Sequence, residues 1–248
     1  MRLKNMARIN KKGIISGKIG DKIFRNLNNQ QIVQAKPDKV NQTKNTEVSS
    51  SEFRQCSSWA KQLRIGLHSF LNRHTDSYMY RRLTGKLYEA IFSNTSLPKG
   101  QRSLLNSNMN ALVGFEFNTN SPFREHFKAD ILVSVSSERK VTVNISELQP
   151  RNQIKYSQIA AQSELLLYVY GSNMILNTPI FDAYFSIPID RNITLQPEIV
   201  WTSPTVPQGH FILVVAKLMY YTNNKFTGKN YINTKELSPA KVLYANAI

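Results

Sequence analysis

The run FILVVAKLMYY (211–221) follows the turn residues Pro207-Gln208-Gly209 and is the longest of the short β-rich segments that decide the fold class. Working outward from it, similar runs occupy 112–117, 130–135, 140–145, 165–170, 183–187 and 193–201 on one side and 241–244 on the other. Asn120-Ser121-Pro122, Ser136-Ser137, Gly171-Ser172-Asn173 and Asp190-Arg191-Asn192 punctuate them. Seven or eight short strands over about 130 residues, with no helical period between them, predict an antiparallel β-sandwich across 111–248. A parallel α/β sheet is disfavoured for the same reason.

Upstream of residue 111 the periodicity changes. Phe53, Cys56, Trp59, Ala60, Leu63, Leu67, Phe70 and Leu71 recur at steps of three and four, the stripe of an amphipathic helix. Ser49 with Glu52 three residues on has the form of a capping box at its start. Asp76 is placed to cap a second helix whose stripe is Met79 or Tyr80, Leu83, Leu87 and Ile91. Before them, KPDKVNQTKNTEVSSS (36–51) is polar and reads as an extended linker. Earlier still, Ile14, Ile15, Ile19, Ile23, Phe24, Ile32 and Val33 alternate with polar residues and glycines around Asn28-Asn29. Asn tolerates positive φ, so this segment reads as a β-hairpin or short meander over 13–35. The expected class is therefore α+β: a basic region at 1–110 (hairpin 13–35, linker 36–51, helices within 52–106) followed by a sandwich at 111–248.

Charge reinforces that division. The 248 residues carry 32 Lys+Arg against 16 Asp+Glu, a formal +16. Residues 1–128 hold 22 basic and 8 acidic side chains (+14), whereas 129–248 hold 10 and 8 (+2). Such a field attracts polyanions before any specific contact forms. On the two predicted helices Arg54, Lys61, Arg64, Arg73, Arg81, Arg82 and Lys86 fall largely off the apolar stripes and make up a basic face suited to phosphate.

Motifs for chemistry are missing. Gly17-Lys18 is followed by Ile19 rather than Ser or Thr, so the glycines of 13–20 are not a phosphate loop. His68, His74, His126 and His210 form no HxH or HxxxH pair beside a carboxylate, and Cys56 is the single cysteine. No Gly-x-Ser-x-Gly elbow and no calcium-loop spacing occurs. The expectation is a chain that is not an enzyme and that uses no cofactor or metal. The basic opening residues lack a following apolar run, so no signal peptide is read, and no stretch of 18 apolar residues predicts a membrane span. The chain is expected to be made in the cytoplasm, with release as part of an assembled particle as a further expectation.

GIISGKIGDKIF (13–24), IVQAKPDKV (32–40), EFRQCSSWAKQLR (52–64), KGQRSLLN (99–106) and LVGFEFN (112–118) resemble a family of uncharacterised Bacteroidota paralogues. The resemblance covers 6–118 and is carried by Gly13, Gly17, Gly20, Asp21, Gly100, Gln101, Arg102 and Phe115-Glu116-Phe117-Asn118. It implies a unit of hairpin, basic helices and a variable β-rich C-terminal part, and it brings no catalytic residues. At 36–48 this chain departs from its relatives, which are richer there in glycine and acid, so no shared contact is carried over.

Three functions compete on this reading. The first is a self-assembling structural subunit of a filament, tube or phage-like particle, in which the hairpin edges and the linker contact neighbouring copies. The second is a soluble nucleic-acid-binding protein gripping phosphates with the basic helices. The third is a carbohydrate- or protein-binding sandwich with Trp201, Tyr220 and Tyr221 as surface anchors.

Overall fold

The computed structural model describes residues 6–27, 30–36, 41–156, 162–175 and 180–248. Its contacts separate two units, 1–47 and 48–248. The expected boundary at 110, read from the change of periodicity, falls inside the second of these units. The described elements mix helix with a majority of strand, and their three sheets are antiparallel throughout.

The first unit is a four-stranded meander: β1 (Ala7–Ile9), β2 (Ile15–Ile19), β3 (Lys22–Leu27) and β4 (Gln30–Ala35), paired in that order. The hairpin-like strands expected at 13–35 are present, with β1 added before them. The expected turn at Asn28-Asn29 lies outside the described residues. Asn10 shapes the β1–β2 turn, its side chain accepting the Lys12 and Ile14 N–H groups at 2.9 and 3.0 Å. Gly17 is obligatory: its φ is +121°, and a Cβ there would lie 2.7 Å from the Met6 carbonyl oxygen.

The second unit contains α1 (Lys44–Gly66) from Val48 onward, α2 (His68–Leu71) and α3 (Met79–Phe92). Helix α1 begins at Lys44, so the expected linker loses its last eight residues, and residues 37–40 of it lie outside the described set. Thr43 caps the helix, its hydroxyl accepting the Thr46 N–H. The Ser49/Glu52 capping box is thereby corrected. Glu52 sits inside the helix, buried, and its carboxylate accepts the Gly100 N–H at 2.7 Å, with Arg102 3.9 Å away. The first turns of α1 are exposed and polar and offer no stripe to read. Phe53 also leaves the expected stripe: it is 52% exposed and meets Tyr88 edge-on. Among the described residues no helix is long and apolar enough to cross a membrane.

A three-stranded sheet follows, ordered β5 (Ile131–Val135), β6 (Val141–Ile145) and β9 (Ile199–Thr202). The larger sheet holds β7 (Gln162–Ser172), β8 (Phe181–Asp190), β10 (Phe211–Asn224), β11 (Gly228–Tyr231) and β12 (Ala240–Ala247). Strand β10 is its axis, pairing with β7, β11 and β12. Its residues from Phe211 to Tyr221 are all buried. Because successive side chains point to opposite faces, Phe211, Leu213 and Val215 join a core with Leu63, Leu67 and Leu87 of the helical region. Ile212, Val214, Ala216 and Leu218 join a second core with Val141, Val143 and Ile145 of β6.

Two expected strands differ. Residues 112–117 form no named strand: Met109–Leu112 is a 3-10 turn. The segment then exchanges backbone bonds with β12 through Gly114, Phe115 and Phe117. The run at 193–201 becomes strand only from Ile199, and β11 was not expected.

Candidate functional site

Two regions hold the residues singled out from the sequence. In the meander, strand register decides which side chains share a face. Ile9 opposes Ile15, Gly17 opposes Phe24, and Phe24 opposes Val33. One face therefore carries Ile9, Ile15, Ile19, Phe24 and Val33, with Lys22 as its charged member. Arg8, Lys18, Ile23, Arg25 and Ile32 share the other. No described residue of this unit is buried; Ile19 is 54% and Val33 51% exposed. Strands β1 and β4 are sheet edges, and β4 reads QQIVQA, without charge, Gly or Pro.

In the helices the seven basic candidates separate into two groups. Arg82 is corrected from exposed to committed. It is half-buried, ion-paired with Asp76, and stacked 4.9 Å over the Phe115 ring. Burial pushes the Asp76 carboxyl up, but hydrogen bonds from the Thr119 N–H, Arg82 and the Tyr78 N–H together hold it below its ordinary value. Lys86 pairs with Glu89 at 2.8 Å. The other five, Arg54, Lys61, Arg64, Arg73 and Arg81, are exposed and have no acidic partner within salt-bridge distance among the described residues.

Three of them, Arg64, Arg73 and Arg81, are held by aromatic or imidazole neighbours. Arg64 lies 5.5 Å over Tyr80 and Arg81 lies 5.7 Å over Tyr78, which is 64% exposed. Arg73 Nε donates to His68 Nε2 at 2.8 Å, so that imidazole nitrogen carries no proton in this arrangement. Asn72 and Arg73 both adopt left-handed backbone, at φ +52° and +59°. This turn folds Arg73 back toward α1. The result is an open cleft of about 280 Å³ lined by Arg64, His68, Leu71, Arg73, Thr75 and Met79, with cationic walls and a Leu–Met floor. Composition reached the arginines; the cleft depends on backbone that no local sequence signal announces.

Buried polar groups were missed by sequence reasoning. Lys217 is fully buried, donates to the Phe70 carbonyl at 2.8 Å, and is pushed down by burial to about 8. Glu164 gathers Ser186, Lys229 at 3.0 Å and Tyr231 at 2.8 Å. Ser121 lies 3.3 Å from His126 Nε2, whose Nδ1 faces the Tyr220 hydroxyl at 2.8 Å. This resembles a nucleophile–base pair, yet Ser121 and Tyr220 have no accessible surface, so no substrate reaches the hydroxyl in this conformation. Among the described residues no cluster of His, Cys, Asp or Glu is arranged to hold a metal ion. Tyr220 and Tyr221 are buried and Trp201 stacks on Phe185 at 5.6 Å, so none of the three stands out as a surface anchor. Compared with protein-family models, with curated proteins and with solved structures, the chain has no significant match.

Proposed function

We propose that this chain is a self-assembling structural subunit of a filament, tube or phage-like particle, joined to a second copy through the edge of its N-terminal meander. One observation carries the reading: a four-stranded sheet in which no described residue is buried. Small sheets need a covered apolar face to be stable in water. Exposed edge strands are normally blunted by Lys, Pro or bulges, whereas Gln30–Ala35 has none of these. An uncharged edge offers no electrostatic complement to a different partner. It is self-complementary in an antiparallel twofold pairing, where Gln and β-branched residues meet their own kind; that pairing alone closes at a dimer, so growth beyond it uses the other open edge, β1, as well.

In the same reading the second unit is a β-sandwich scaffold. The Phe185–Trp201 stack, within 5° of parallel, and the core shared by β6 and β10 support face-to-face packing of the two sheets. Membership of the Bacteroidota family is likewise proposed. The glycines that carry the resemblance, Gly13, Gly17, Gly20 and Gly100, all have positive φ, which gives a backbone reason for them at those positions.

Sedimentation and negative-stain microscopy of the purified chain across salt and concentration test the proposal. Oligomers or polymers are expected, with Ile32→Lys reducing them by placing like charges across the twofold pair. Monomers under every condition refute it.

A further inference from the structure

We propose that the exposed ridge of α1 and α2, ending in the Arg64–His68–Arg73 cleft, is a track for the phosphodiester backbone of single-stranded nucleic acid. The inference does not depend on self-assembly, since every residue in it belongs to the unit 48–248. Arg54, Lys61, Arg64 and His68 are spaced by seven, three and four residues, which keeps them on one helical face. The backbone bonds Leu67 N–H to Leu63 and Leu71 N–H to Leu67 carry the helical path from α1 into α2. At 1.5 Å per residue the ridge is therefore about 21 Å long, enough for several consecutive phosphates of one strand.

Three features point to phosphate rather than to general solubility. The ridge cations have no acidic partner among the described residues, while Arg82, Lys86, Arg102 and Arg124 do. Two guanidinium groups converge on one cleft beside the Thr75 side chain, and planar forks match phosphate oxygens in a way an ammonium does not. Arg73 holds left-handed backbone in that cleft, an uncommon conformation for a residue other than glycine. The preference for a single strand comes from Tyr78 and Tyr80, each paired with an arginine at the start of α3. Exposed Tyr78 offers a face on which an unpaired base stacks; duplex bases are already stacked on each other. The apolar floor of Leu71 and Met79 suits a sugar or base edge and not bulk water.

Fluorescence anisotropy with labelled 15-nucleotide single strands, the matching duplex, and inorganic phosphate as competitor tests this on the full chain. Single strands are expected to bind at 50 mM salt. Arg64→Ala with Arg73→Ala should weaken binding by about tenfold or more and lower the slope of log K against log salt by about 1.4, at 0.7 per phosphate contact. Tyr78→Ala should weaken it severalfold at an unchanged slope. Arg124→Ala, which removes a cation paired with Asp130 at 3.1 Å, should leave it within about twofold, and circular dichroism identical to the parent verifies folding of each variant. No strand binding at low salt, binding indifferent to Arg64 and Arg73, tighter binding of the duplex, or arginine-dependent binding of inorganic phosphate alone each overturns the proposal.

Discussion

Strands β4 (QQIVQA) and β10 (FILVVAKLMYYTNN) each carry an adjacent pair of β-branched residues, Ile32-Val33 and Val214-Val215, and end in opposite situations. Strand β10 has partners along both edges and apolar cores against both faces, and its residues 211–221 are all buried. Strand β4 has a partner on one edge and no buried residue. What separates them is the supply of surrounding surface, since a strand is stabilised by its neighbours more than by its own propensity. The buried cores of this chain are therefore concentrated in 48–248, and in the proposed assembly it is the meander that another copy covers.

The largest expected contrast is in side-chain truncation. Leu218→Ala removes a fully buried side chain from the core shared with β6 and should cost about 3 kcal/mol in urea unfolding. A loss under about 1 kcal/mol would mean that β10 is not the axis of stability.

Lys217 tests the same strand by pH. Burial lowers its folded value to about 8 from an ordinary 10.5, so between those values the unfolded chain binds the extra proton and stability rises with pH. The gain approaches about 3 kcal/mol by linkage. Tyr168 acts oppositely, since burial raises it to about 12, so its contribution is lost as pH climbs above 10. Stability should therefore climb from pH 8 toward 10 and then fall. Lys217→Met should abolish the climb and leave the fall; a parent with no climb contradicts burial of an ammonium that has a carbonyl partner and, among the described residues, no acidic one.

Asp76 gives a smaller effect, of about 2 kcal/mol, because Asp76→Asn strands the half-buried Arg82 without its counter-charge. With the Asp76 carboxyl held below its ordinary value of 3.8, its contribution is present above that pH and lost as pH falls further. The variant should show a shallower acid transition than the parent.

The difference between the two strands also separates what was legible from what was not. The run at 211–221 and its companions announced themselves by composition, and the Cys56–Leu63–Leu67 stripe by its period, because burial on a regular element leaves a periodic trace. Partners supplied from far along the chain leave none. Arg81 and Arg82 are adjacent and identical in type, yet Asp76 and Phe115 take only the second. Lys217 is a charge inside an apolar run, and Phe70, which satisfies it, is 147 positions away. The start of α1 is polar because it is exposed, so it read as linker. The cleft rests on left-handed backbone at Asn72 and Arg73, neither a glycine. The meander was legible as strands, but the absence of any buried side chain among its described residues was not, because alternation predicts a buried face without naming what buries it.

That last gap sets the smallest predicted effect on folding. Ile32→Ala changes an exposed side chain on an edge strand, so unfolding of the monomer should move by less than about 0.5 kcal/mol. The same substitution should shift the concentration at which assembly begins, because in a β4 pairing Ile32 lies within the contact. Hydrogen exchange on the parent distinguishes the two settings: amides of Gln30–Ala35 should exchange quickly in dilute solution and slow as concentration rises, while those of Phe211–Tyr221 stay protected throughout. Protection of β4 that is already complete in the dilute monomer would mean that the meander needs no partner, and the contrast with β10 would lose its functional meaning.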